Sequence, residues 1–187
     1  MNYDYSEVEK LLNVKGDEEW KNYLRLRKHI YRDIVPDNLE NSLVSEANWL
    51  LRSQCQSGDE IGIEVHAGDV VYMDYGVSFR NEAGFQHFGL CMSICRKKAL
   101  IIPMTSNAVQ YRSAYDDQTN PEGKIHLMRL GKLTGMNKES VLFLNDSRYI
   151  NTARVIDVKA HLDPNSALFI RIQQRMIKVM FSPDMLL

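Results

Sequence analysis

The stretch NEAGFQHFGLCMSICRKKALIIPMTSN, residues 81–107, holds one imidazole and a pair of hydroxyls at the far ends of two apolar runs. His87 precedes FGLCMSIC, Thr105-Ser106-Asn107 follow ALIIPM, and the basic Arg96-Lys97-Lys98 lies between. An imidazole exchanges a proton near neutrality, and a hydroxyl can donate to a charged oxygen. The turn at 96–98 is about equidistant from His87 and from Thr105-Ser106, so an antiparallel hairpin sets them opposite one another. This set suits acid–base cleavage of a phosphodiester, which needs a proton acceptor, a proton donor for the leaving oxygen, and a grip on the crowded phosphate. His87 can serve as acid or base. Thr105 and Ser106 can meet the non-bridging oxygens, with Asn107 and Arg80 as neighbouring substrate contacts. Arg148 can hold a phosphate in two bonds without losing its proton, with Arg154 nearby, and Glu82 can orient His87 or share its proton. No metal or cofactor is needed for this chemistry, and neither HExxH nor a Cys/His ligand pattern is present. Each residue also has a plainer role. His87 can end a strand bonded to backbone, and Thr105-Ser106 can cap a strand. Glu82 and Arg80 can be solvated, and the two arginines can pair with Asp146 and Asp157.

The elements that must position these groups fall into two regimes. Up to about residue 55 the apolar period is helical: Trp20, Leu24, Arg27 and Tyr31 recur along one stretch, Pro36 interrupts, and Leu39, Leu43, Ala47 and Leu50 mark the face of a second helix. QSGDE, 56–60, reads as a boundary, which gives a helical extension over 1–58 and a second domain over 59–187. Beyond it the runs are strand-like: VVYMDYG, FGLCMSIC, ALIIPM, KIHLMRL and SVLFLN. Pro103 predicts an edge or a bulge. Residues 107–123 carry dense turn signals and read as a long loop. A last helix is expected from about Pro164 to Phe181, capped by Asp163, with Phe169, Ile172, Met176, Val179 and Met180 buried. Short strands followed by a helix favour a small β-barrel closed by that helix, an α+β protein.

Composition is that of an ordinary globular chain, 44% apolar and 25% charged. No apolar run approaches the roughly 20 residues of a membrane span, and MNYDYSEVEK is too polar and acidic for a secretory leader. Three cysteines without a C-x-x-C pair support neither a disulfide framework nor zinc, which leaves the cytoplasm as the expected compartment. Residues 1–60 carry 8 Lys/Arg against 12 Asp/Glu, a balance of −4, and residues 61–187 carry 15 against 12, a balance of +3. The mildly basic body is compatible with a polyanionic ligand.

Several segments in order resemble the MazF/PemK family of toxins, the ribonuclease halves of toxin–antitoxin pairs. Gly68-Asp69-Val70-Val71-Tyr72 with Asp74-Tyr75-Gly76 is similar to the family's opening strand and turn. Glu82, Gly84, His87 and Phe88-Gly89-Leu90 follow its next block, with His where the better-known branch has Arg. Ile101-Ile102-Pro103-Met104-Thr105-Ser106 matches its Thr-ended strand, and Ser140-Val141, Arg148, Ile150 and Arg154 its last block. The resemblance spans about residues 61–157. It implies an SH3-like barrel, a metal-independent endoribonuclease acting on single-stranded RNA, a homodimer, and a protein antitoxin that occludes the RNA groove. A non-catalytic barrel of the same type, binding nucleic acid or protein, is the alternative.

Overall fold

The computed structural model describes residues 16–32 and 36–181. MNYDYSEVEK lies outside them. The chain forms two compact units that meet between Asn41 and Ser42 in sequence. In the first unit, α1 (Asp17–Arg32) has three acidic residues in its first turn and Arg32 in its last, each favourable to the helix dipole. None of its residues is buried.

The second unit begins within α2 (Pro36–Arg52). The apolar stripe predicted for this helix does not face inward: Leu43 and Leu50 are exposed, and Ser42 and Ser45 are buried. Polar bonds explain the choice. The Ser45 hydroxyl and the Asn48 amide donate to the two carboxylate oxygens of Asp74 at 2.8 and 2.9 Å, and Arg52 donates to the Val155 carbonyl at 2.7 Å.

Eight strands follow: β1 (Asp69–Asp74), β2 (Gln86–Cys95), β3 (Lys98–Thr105), β4 (Ala114–Tyr115), β5 (Lys124–Gly131), β6 (Ser140–Phe143), β7 (Arg148–Asn151) and β8 (Val155–His161). They form one sheet in the order β4-β5-β6-β3-β2-β1-β8, with β7 paired to β3. The expected α+β architecture is present, with helices before and after the strands in sequence. The expected closed barrel is not, because β4 and β8 end the ladder without meeting. The central strands are buried on both faces, which is why they read as apolar runs rather than alternations. Val70, Leu90, Ile102, Met104 and Leu142 pack beneath the C-terminal α4 (Ala167–Phe181), and Val71, Met73, Cys91, Ile101 and Val155 form a second cluster. Phe169, Ile172 and Met176 are the buried residues of α4, each worth about 1.5–3 kcal/mol on burial. Met180 is exposed. The helix starts later than Pro164: the Ser166 hydroxyl accepts the Phe169 N–H at 3.2 Å as its cap, and Asp163 instead closes a turn by accepting the Asn165 N–H.

Pro103 is buried within β3 rather than at an edge. It lies at a changeover, between Lys98–Ile101, which pair with β7, and Met104–Thr105, which pair with β6. The region 107–123 is structured as well. It contains α3 (Ala108–Ser113), β4 and a bridge from Asp116 to Asn120. Arg129 pins it to β5, donating to the Tyr111 carbonyl at 2.9 Å and the Thr119 hydroxyl at 2.8 Å while lying over the Tyr111 ring. The three cysteines are free.

Candidate active site

The β2–β3 hairpin turns at Arg96-Lys97, with Cys95 opposite Lys98 and Arg96 at positive φ. Carried unbroken, this register would set His87 opposite Ser106. A bulge at Met92, between Cys91 and Ser93, moves the pairing by one residue, so the ladder reaches Gly89 opposite Pro103. The pairing stops there; the same register continued two residues would set His87 opposite Thr105. A one-residue slip exchanges the faces of a strand, so the bulge decides which of Thr105 and Ser106 the continued register would set across from His87, and Thr105 is the one that lines the same cleft.

His87 and Thr105 line one cleft of about 620 Å³ with Glu82, Gln110, Lys124, His126 and Asp146. The loop between β1 and β2 forms one wall. It is closed at its base by Tyr75 and Gly76 bonding Phe85: the Tyr75 N–H to the Phe85 carbonyl at 2.8 Å, and the Phe85 N–H to the Gly76 carbonyl at 2.7 Å. Asp146 accepts the Ala83 N–H at 2.5 Å, and Arg148 donates to the Ala83 carbonyl at 2.7 Å and to Asp146 at 3.2 Å. The guanidinium also lies 5.3 Å from the centre of the Tyr75 ring, and burial raises the Tyr75 hydroxyl well above its ordinary pKa, so it stays neutral. Arg148 thus stands behind the cleft wall and clamps it.

The other expected contacts separate. Glu82 lines the cleft, but its carboxylate accepts the Phe79 N–H at 3.4 Å, and no hydrogen bond joins it to His87 among the described residues. Asn107 spends its carboxamide oxygen as the cap of α3, accepting from Val109 and Gln110 N–H, and its own N–H donates to the Thr105 hydroxyl at 3.3 Å. Ser106 and Arg80 are exposed and do not line the cleft, and Arg154 donates to the Asp74 carbonyl at 3.3 Å.

The structure adds residues that the sequence pattern does not single out, chiefly Lys124 and His126. The available signal was positional: both stand at the start of β5, two residues apart, as His87 stands at the start of β2. Partial burial lowers the His126 pKa, and the positive charge of Lys124 lowers it further. His126 therefore stays neutral to a lower pH than a free imidazole. By NMR its titration midpoint should lie below the ordinary value of about 6.5. Lys124→Gln should raise it without fully restoring that value, because burial remains. A midpoint at the ordinary value in both proteins contradicts this placement.

The clamp gives a second expectation. Asp146→Ala removes the carboxylate paired with Arg148, whose Nε is already buried with no hydrogen-bond partner among the described residues. The pair is partly solvated, so the loss should be about 1–3 kcal/mol, below that of a fully buried pair. Amide exchange across residues 78–85 should accelerate. Unchanged exchange there would show that the wall is held by other contacts.

No family model and no curated protein matches this chain. Among solved structures, the chain is similar to MazF (Form-I) from Deinococcus radiodurans, with 13% identity and a TM-score of 0.46, over 63% of this chain and 97% of that one. It is also similar to the Mycobacterium tuberculosis toxin MazF-mt6, with 8% identity and a TM-score of 0.42, over 60% and 95%. A third similar structure is an endoribonuclease in complex with its cognate antitoxin from Mycobacterial species, with 10% identity and a TM-score of 0.43, over 64% and 98%.

Proposed function

We propose that the cleft cleaves single-stranded RNA by attack of a ribose 2′-OH on the adjacent phosphate, without a metal ion. The observation that carries this reading is His87 and Thr105 lining one cleft at the open end of the β2–β3 ladder. His126 takes the proton of the 2′-OH, since burial and the Lys124 charge keep its imidazole neutral to lower pH. His87 returns a proton to the 5′-oxygen as the P–O bond breaks. The Thr105 hydroxyl and the Lys124 ammonium stabilise the charge that gathers on the non-bridging oxygens. Arg148 acts through the Ala83 backbone as a positioning residue, and Glu82 contributes negative charge at the rim. Atoms balance: the 2′-oxygen displaces the 5′-oxygen and leaves a 2′,3′-cyclic phosphate and a 5′-hydroxyl.

The motif resemblance carries the rest of the reading: a cytoplasmic toxin, acting as a homodimer and restrained by a protein antitoxin that covers the same groove. The test is incubation of the purified protein with a long single-stranded RNA in EDTA, with the product ends mapped. Fragments ending in 2′,3′-cyclic phosphate are expected. RNA that is bound but remains intact would favour the alternative, a barrel that binds nucleic acid without cutting it.

A further inference from the structure

A second cationic feature lies on α4, outside the His87 cleft. Arg171, Arg175 and Lys178 recur at positions i, i+4 and i+7 and line a groove of about 310 Å³ with Tyr115, Asp117 and Gln174. Arg175 is the unusual member. Its guanidinium carbon sits 3.2 Å from the centre of the Tyr115 ring, which shields one face from water. Its Nε is buried and has no hydrogen-bond partner among the described residues. Burial also pulls its pKa down, the mark of a cation held partly out of water. Of the residues lining the groove, only Asp117 opposes the three cations, and its carboxylate lies 3.7 Å from the Arg171 Nε.

A desolvated donor without an acceptor is unfavourable, and two further cations beside it raise the potential. An anion with several acceptor oxygens lowers that potential, and a phosphate offers three or more to the outer nitrogens of a guanidinium already held by stacking. We propose that this groove binds a phosphate group, carried either by a nucleic-acid backbone or by a free polyphosphate. The proposal is independent of the chemistry assigned to the His87 cleft.

Two probes separate the sources: inorganic pyrophosphate, and a single-stranded oligodeoxynucleotide, which lacks the 2′-OH and is not cut by the proposed reaction. Binding of each to the wild-type protein, Arg175→Gln and Lys178→Gln is measured by calorimetry and anisotropy, with a glutamate-rich peptide as a third probe. Arg175→Gln should weaken binding about tenfold or more, and Lys178→Gln by a smaller factor. Loss for the oligonucleotide alone assigns a strand backbone, and loss for pyrophosphate assigns a free polyphosphate. For the oligonucleotide, each lost phosphate contact should also lower the slope of log affinity against log salt by about 0.7. Lys178 is exposed on the helix, so its variant decides the matter if Arg175→Gln fails to fold. Wild-type protein that binds neither phosphate probe, binds only the acidic peptide, or binds no better than both variants would overturn the proposal.

Discussion

His87→Ala is expected to slow RNA cleavage by about 10²–10⁴-fold, the usual worth of a positioned proton carrier. The side chain is exposed at the start of β2, and no hydrogen bond of its imidazole is found among the described residues. Its removal should therefore change stability by no more than about 0.5 kcal/mol. The rate loss would then be chemical rather than structural, and single-turnover kinetics beside a thermal melt separate the two. His126→Ala should also slow cleavage, and it should remove the acidic limb of the pH–rate profile, which the lowered His126 pKa places below the ordinary imidazole range. If both residues serve one proton relay, the double variant will lose little beyond the worse single one. A His87→Ala protein cutting at the wild-type rate would remove the imidazole from the mechanism.

Gly68→Ala should produce the largest loss of stability, about 3 kcal/mol or more. Gly68 leads into β1 with φ +91, and a Cβ there would stand 2.1 Å from the Leu162 carbonyl oxygen. That oxygen belongs to backbone and cannot rotate away. The residue is also bonded on both sides, its N–H to the Cys91 carbonyl at 2.7 Å and its carbonyl to the Leu162 N–H at 2.8 Å. Any shift of the backbone breaks the junction of β1, β2 and the end of β8. The melting midpoint should fall by about 6–12 °C at 2–4 °C per kcal/mol. A midpoint within a degree of wild type would mean that the junction relaxes freely. Gly89 shows the same economy within a strand: a Cβ there would meet Ile101 and the Tyr75 hydroxyl, each at 2.4 Å.

The hairpin was legible because two apolar runs flank a basic turn, a local signal. Its register was not, because the Met92 bulge depends on how β2 fits between β1 and β3, and only that bulge decides between Thr105 and Ser106. Periodicity located α2 but chose the wrong face, since bonds from Ser45 and Asn48 to Asp74 outweigh an apolar stripe and leave no apolar signature. Asn107 misled for a related reason. The same carboxamide suits a ligand, a turn or a helix cap, and α3 claims it. Arg148 was recognisable as an important cation, but its clamp on Ala83 spans 65 residues of sequence and cannot be read locally. His126 enters the cleft through the packing of β5 against β6, a non-local pairing of the same kind.

The central claim is that a ribose hydroxyl, activated in the cleft between His87 and His126, breaks the strand. Its most direct test is an RNA carrying a single 2′-deoxynucleotide on the 5′ side of a mapped cut. That linkage should survive in EDTA while neighbouring sites of the same sequence are cut and overall binding is unchanged. Cleavage of the deoxy-substituted linkage at the all-ribose rate would contradict the claim.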